Sequence, residues 1–198
     1  MPSETFFHLK SEKRKKMDSV LLDIFYDQPI SQVKVAQIVE EAAISRGAFY
    51  KYFVDLEDAY LYTVKECAKE IHGDILTFIY KDQSDFFSGI ERYLEWCSQL
   101  DTNDDHWKKL KLCTQTNLLS NAKREPLAKD SPMVIQWKEL LAQNQFNIND
   151  SEEAISFLYF IMALVMDAIT DFMVNNWTTE ELINDFRLRT RWILNGVR

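Results

Sequence analysis

The run VAQIVEEAAISRGAFYKYF, Val35 to Phe53, decides the fold. Val35, Ile38, Val39 and Ala42 recur at helical spacing on one face of a short helix. Ala42-Ala43-Ile44 then reads as a tight turn, and Ser45 as the N-cap of a second helix running to about Tyr52. A short helix, a tight turn and a second helix make a helix-turn-helix. Phe49 and Phe53, with Ile44, are the inward positions, expected to lock against Met17, Leu21, Phe25 and Ile38. Arg46, Gly47, Ala48, Tyr50, Lys51 and Tyr52 are left to face outward.

Working outward, Met17, Val20, Leu21, Ile24 and Phe25 predict a preceding helix, capped by Ser11 and ended by Pro29. On the other side Asp55, with Glu57 and Asp58 in the first turn, starts a long helix to about Tyr80. The remainder reads as helices over roughly 85–100, 104–121, 132–145, 150–176 and 178–195, with an exposed loop over 122–130. Ser131-Pro132 supplies an N-cap and an N1 proline, Asp150 with Glu153 caps the next helix, and Thr178-Thr179-Glu180-Glu181 fits a capping box. The helix over 150–176 is apolar nearly all round in its first half, so it must be buried on more than one side. Its successor is amphipathic through Leu182, Ile183, Phe186, Ile193 and Val197. Two such helices at a C-terminus suit the completion of a bundle with a second subunit.

Composition agrees with an all-α protein. Only four Gly and four Pro occur among 198 residues, too few for a strand-and-turn fold, for collagen or for a disordered chain. Cys67, Cys97 and Cys113 are odd in number, far apart and without zinc spacing, which predicts buried thiols in a reduced compartment. No signal peptide is visible in MPSETFFHLK, and the longest apolar run, Phe157 to Met166, stops at Asp167 after ten residues, short of a bilayer's ~30 Å. The expectation is a cytoplasmic protein with no membrane partner. Net charge is −8, from 23 basic and 31 acidic residues, and taken alone this argues against nucleic acid. Residues 1–60 carry only −2 of it, so a DNA contact would rest on where the cations sit.

The outward set has the chemistry of a groove reader. Small residues at Gly47 and Ala48 allow close approach to base edges, Arg46 can reach guanine acceptors, and Ala48 can touch a thymine methyl. Tyr50, Lys51, Tyr52 and the amides capped by Ser45 suit phosphate oxygens. The run VAQIVEEAAISRGAFYKYFVDLEDAYL, Val35 to Leu61, preceded by RKKMDSVLLDIFYDQ from Arg14, resembles the TetR family of bacterial transcriptional repressors. The resemblance covers about the first 60 residues. Beyond them the chain shows only the family's helical make-up. Carried over by position, it implies that Ser45, Arg46, Gly47, Ala48, Tyr50, Lys51 and Tyr52 face the operator. Three positions depart from the family's pattern: Ala43 stands for a usual Gly, Lys34 for a usual Ser or Thr cap, and Leu56 for a usual Lys. Leu56 removes one expected phosphate contact, which Lys34 and the run Lys13-Arg14-Lys15-Lys16 can replace.

The resemblance further implies a helix-turn-helix domain over 1–54 and a helical ligand-binding and dimerisation domain over 55–198. A homodimer through the last two helices would bind a palindromic double-stranded operator and be released by a small-molecule inducer. The inducer site is expected among Tyr93, Trp96, Trp107, Trp137, Phe157, Tyr159 and Phe160, although core packing competes for each ring. Asp167 and Asp171, at i and i+4, either attract a cation or pair with Arg187, Arg189 or Arg191; pairing is favoured. DLEDAYLYTVKECAKEIH resembles the haem-sensing regulators of haem efflux within this family, which implies His72 as an iron ligand and Met166 as the second axial candidate. The alternative for His72 is a histidine near a helix end, interacting with the dipole. No cofactor is otherwise required. Neither E-x-x-H, H-E-x-x-H, G-x-G-x-x-G nor a P-loop occurs, so an enzyme is disfavoured. A helical adaptor without DNA binding is the other rival, and it would leave Tyr50, Lys51 and Tyr52 without a role.

Overall fold

The protein is described by a computed structural model covering residues 1–82, 85–115 and 127–195. It is all-helical, with no strand among the described residues. The helices are α1 (Glu4–Phe7), α2 (Ser11–Asp27), α3 (Val35–Glu41), α4 (Arg46–Tyr52), α5 (Leu56–Lys81), α6 (Phe86–Ser98), α7 (Asp105–Thr114), α8 (Pro132–Gln143), α9 (Ser151–Asn175) and α10 (Thr179–Asn195). By packing they form two compact units, one of residues 1–71 with 101–116, the other of 72–100 with 117–198. The expected division at residue 54 is a division by function, and packing leaves it open.

In the first unit, Met17, Leu21 and Phe25 of α2 are buried with Ile38 of α3 and Phe49 and Phe53 around α4, as the spacing predicts. α7 lies against α2 and is held partly by charge: Lys108 Nζ donates to Asp23 at 2.6 Å, and Lys111 Nζ sits 4.5 Å from the Tyr26 ring centre. Four features differ from expectation. α1 is an extra helix, its Phe6 fully buried. Ser11 is the first helical residue of α2 and not its cap; Lys10 occupies the cap position and has no lone pair to offer. Arg14 turns away from its basic neighbours: Nη2 donates to the Tyr62 hydroxyl at 3.5 Å, and the guanidinium lies 5.3 Å from the Phe7 ring centre. His72 is inside α5, nine residues before Lys81, so no helix-end dipole acts on it.

In the second unit α9 packs against α6, α8 and α10. Asp150 caps α9 by accepting from the Glu152 and Glu153 amides, and Ser131 caps α8. Thr178 and Glu181 form the predicted reciprocal box at α10, at 2.7 and 3.3 Å. α9 is long and apolar enough to cross a membrane by length and composition. The ten-residue run missed this because Asp167 interrupts it. Here, however, Asp167 accepts from Arg189 Nη1 at 2.6 Å, Asp171 pairs with the same guanidinium, and Leu158, Ile161, Val165 and Ile169 are buried. The favoured aspartate pairing is thus present, through Arg189; Arg187 makes a bidentate bond to Glu91 at 2.8 to 3.1 Å instead. The expected loop over 122–130 and Val197 lie wholly or partly outside the described residues.

All three cysteines are buried, and none is in a disulfide. Burial pushes the Cys67 and Cys97 thiols up to about 12 and raises Cys113 as well, so they stay protonated and unreactive at neutral pH.

Candidate nucleic-acid interface

The helix-turn-helix is set by its turn. Ala43 has φ 54, in the left-handed region, and the Ile44 and Ala43 amides donate back to Val39 and Glu40 carbonyls at 3.0 and 3.1 Å. This is a Schellman motif with alanine where glycine is usual, at a cost of roughly 1 kcal/mol. Lys34 stands at the α3 cap position; its amide donates to Gln37 Oε1 at 2.7 Å, so the glutamine supplies half a capping box and leaves the lysine exposed. Ser45 Oγ accepts from the Ala48 amide at 3.1 Å, as predicted, and starts α4.

On α4, Ser45, Arg46, Gly47, Tyr50 and Lys51 are exposed and Ala48 is half-buried, while Phe49 and Phe53 face the core. The Arg46 guanidinium lies 5.9 Å from the ring centre of Tyr50, one turn on, which holds it beside that ring. Tyr52 is the correction. It is 6% exposed, its ring 5.9 Å from that of Phe6, because α1 covers the side of α4 that the sequence reading left open. Tyr52 therefore serves the core and not the outer face.

Gly47 is informative because the fold does not need it. A Cβ added there would meet only Ser45 Oγ, at 3.9 Å. Glycine weakens a helix by up to about 1 kcal/mol against alanine, and nothing inside the protein offsets that. The space it leaves lies on the exposed face beside Tyr50 and Lys51, its i+3 and i+4 neighbours on α4. Leu56, where a lysine was expected, is half-buried at the start of α5 and offers no charge.

Trp107 belongs to the first unit, on α7; His72, Trp96, Phe157 and Met166 belong to the second. Within the second unit two aromatic groups form. Trp96 stacks on Phe78 at 5.6 Å with Tyr93 edge-on to Phe78, and Phe157 lies among Phe86, Trp137, Phe146 and Phe160 at 5.2 to 6.3 Å. The Trp137 indole N–H donates to the Ala154 carbonyl at 2.9 Å, a core role. His72 is held below the usual imidazole range by burial, so it is neutral at physiological pH. Among the described residues no group of three or more His, Cys, Asp or Glu could hold a metal ion.

Comparison with known proteins agrees with this layout. Residues 20–58 match the family described as bacterial regulatory proteins, tetR family, and residues 85–197 match the tetracyclin repressor-like C-terminal domain. Solved structures share the fold. A TetR-family transcriptional regulator from Pectobacterium atrosepticum is 12% identical with a TM-score of 0.59, over 96% of this chain and 97% of its own. A putative TetR-family regulator from Syntrophomonas wolfei is 20% identical at 0.53, over 94% and 97%. The fatty acid degradation regulator FadR from Bacillus halodurans is 14% identical at 0.53, over 96% and 98%. None of the curated proteins compared matches the sequence. With most of its length matched by the family's two domains, the chain belongs to the TetR family of transcriptional regulators, and it is a DNA-binding regulator with a ligand-binding C-terminal domain.

Proposed function

We propose that the chain is a dimeric repressor whose operator-reading surface is Lys34, Ser45, Arg46, Gly47, Ala48, Tyr50 and Lys51. The observation that supports this most is Gly47: a glycine without a packing reason, on an exposed helix face with Tyr50 and Lys51 one turn on. Such a face approaches base edges closely while its flanks reach phosphates. A helical adaptor has no use for that gap. In a dimer, two such helices about 34 Å apart read a palindrome. The dimer face is supported by Phe160 and Val174 on α9 and Leu188, Trp192 and Leu194 on α10, all exposed in the single chain.

The ligand in this reading is bulky and apolar, suited to the aromatic groups around Trp96 and Phe157, and it releases DNA by binding the DNA-incompetent arrangement more tightly. FadR of Bacillus subtilis, similar in fold at 13% identity and a TM-score of 0.50, is solved in complex with stearoyl-CoA, whose acyl chain alone is of that physical class. Haem is a narrower version. The neutral, desolvated His72 imidazole has the lone pair an iron requires, and Met166 is the candidate for the second axial position. Titration with hemin reads this directly: a Soret shift lost in His72→Ala supports haem, and no shift removes it.

The experiment for the main reading is a mobility shift on the DNA upstream of the protein's own coding region. Wild type is expected to retard it, and the double variant Tyr50→Ala, Lys51→Ala to lose retardation while keeping dimer and helicity. Retardation by both proteins alike would reject the surface.

A further inference from the structure

We infer that the N-terminal segment, Ser3 to Phe7, is a clamp that seats the recognition helix, with Ser3 and Phe6 as positioning residues for operator binding. The inference rests on the reading of α4 as the operator-facing helix.

α4 has seven residues, far fewer than an isolated helix needs in water, so its orientation depends on what holds its ends and its inner side. Its N-terminus is held by Ser45. At its C-terminus the last carbonyls have no partner within the helix. Ser3 satisfies two of them: its amide donates to the Tyr52 carbonyl at 2.9 Å, and its hydroxyl donates to the Lys51 carbonyl at 2.5 Å. Lys51 is one of the exposed residues proposed to reach phosphate, so the backbone that carries it is tied directly to Ser3.

Three residues on, Phe6 is fully buried. Its ring centre lies 4.9 Å from Phe53, 5.9 Å from Tyr52 and 5.1 Å from Tyr62, so one side chain touches the end of α4 and the wall of α5 at once. Tyr62 is itself fixed, donating to Asp18 at 3.0 Å while Arg14 reaches its oxygen. The Arg14 guanidinium also lies 5.9 Å from the Phe6 ring centre. The segment therefore joins the end of α4 to α2 and α5 through a set of contacts whose members are each held by another. Displacing it would free the C-terminal turn of α4 while the hydrophobic contacts of Phe49 with the core persist. A loosened recognition helix loses affinity because the same DNA contacts must then be ordered on binding.

The test compares Ser3→Ala, Ser3→Thr, Phe6→Ala and Phe6→Leu with wild type in the full-length protein. Two quantities are read: amide hydrogen exchange over residues 46–53 without DNA, and affinity for a duplex that wild type selects from a randomised library. Ser3→Ala is expected to speed exchange at the end of α4 and weaken duplex binding roughly three- to tenfold, about the value of one hydrogen bond. Ser3→Thr, which keeps the hydroxyl, restores both. Phe6→Ala is expected to weaken binding by more than tenfold, and Phe6→Leu to recover most of it, with exchange in α9 and α10 unchanged throughout. Unchanged exchange and affinity in Ser3→Ala and Phe6→Ala would overturn the clamp, as would faster exchange spread evenly over the whole chain. A wild type that selects no duplex would instead overturn the operator reading on which the clamp's function rests, and the exchange data would show which of the two had failed.

Discussion

The two units are built from the same helical material and present opposite surfaces. On α4 of the first unit the exposed side chains are Arg46, Tyr50 and Lys51, polar groups around a gap at Gly47. On α9 and α10 of the second, the exposed positions include Phe160, Val174, Leu188, Trp192 and Leu194. One surface suits a hydrated, charged partner and the other a second apolar surface. Two glycines, Gly47 and Gly89, make a narrower contrast. A Cβ at Gly89 would lie 2.7 Å from the Ile79 Cα and 3.0 Å from the Phe78 carbonyl oxygen, so α5 and α6 need that glycine in order to pack. At Gly47 a Cβ would meet almost nothing. Packing demands Gly89; it makes no such demand at Gly47, which lies on the exposed face of α4.

The largest test of this contrast is Leu188→Glu with Trp192→Asp. Charges on the apolar face should give a monomer in sedimentation and lower operator affinity on the order of a hundredfold or more, because each chain then binds without its neighbour's effective concentration. A dimer of unchanged affinity would place the interface elsewhere. Gly89→Ala comes next. It forces backbone against a new methyl and should cost about 1–3 kcal/mol in chemical denaturation. At Gly47, by contrast, alanine should leave stability unchanged or raise it by up to about 1 kcal/mol while weakening operator binding. A Gly47→Ala protein that bound DNA as well as wild type would remove the reason for the gap. The smallest effect is expected for Ala43→Gly, which relieves the left-handed alanine and should stabilise the first unit by no more than about 1 kcal/mol, visible as a rise in Tm with DNA affinity unchanged.

Local signals in the sequence were readable where one residue type answers one need. Ser45, Asp150, Ser131 and Thr178 with Glu181 all cap where spacing placed them, since a capping side chain acts within three residues. The inward set of Met17, Leu21, Phe25, Ile38, Phe49 and Phe53 followed from periodicity. What escaped was decided by contacts distant in sequence. Four residues are too short a helix to show a period, so α1 was invisible. Without α1 there was nothing to bury Tyr52, and its place beside Lys51 suggested exposure. Arg14 looked like one member of a basic run, yet a guanidinium that meets Tyr62 and Phe7 from another helix is drawn out of that run. Only the FF pair at Phe6-Phe7 hinted that the N-terminal segment had something to bury. Unit membership of the sensor residues was not legible either. Aromatic content reports apolar volume, not which helices share it, and α7 carries Trp107 into the first unit. Net charge misled differently: −8 is an average over the chain, while the exposed face of α4 is cationic.

The claim that this face reads DNA is tested most directly by the salt dependence of affinity for a duplex selected by the wild-type protein, measured beside Lys51→Ala. The account predicts that log K falls linearly with log salt, with a slope of about −0.9 for every phosphate neutralised, and that Lys51→Ala makes the slope shallower by about two in a dimer that loses two lysines. An affinity flat from low to moderate salt, or the same slope in wild type and Lys51→Ala, would contradict it.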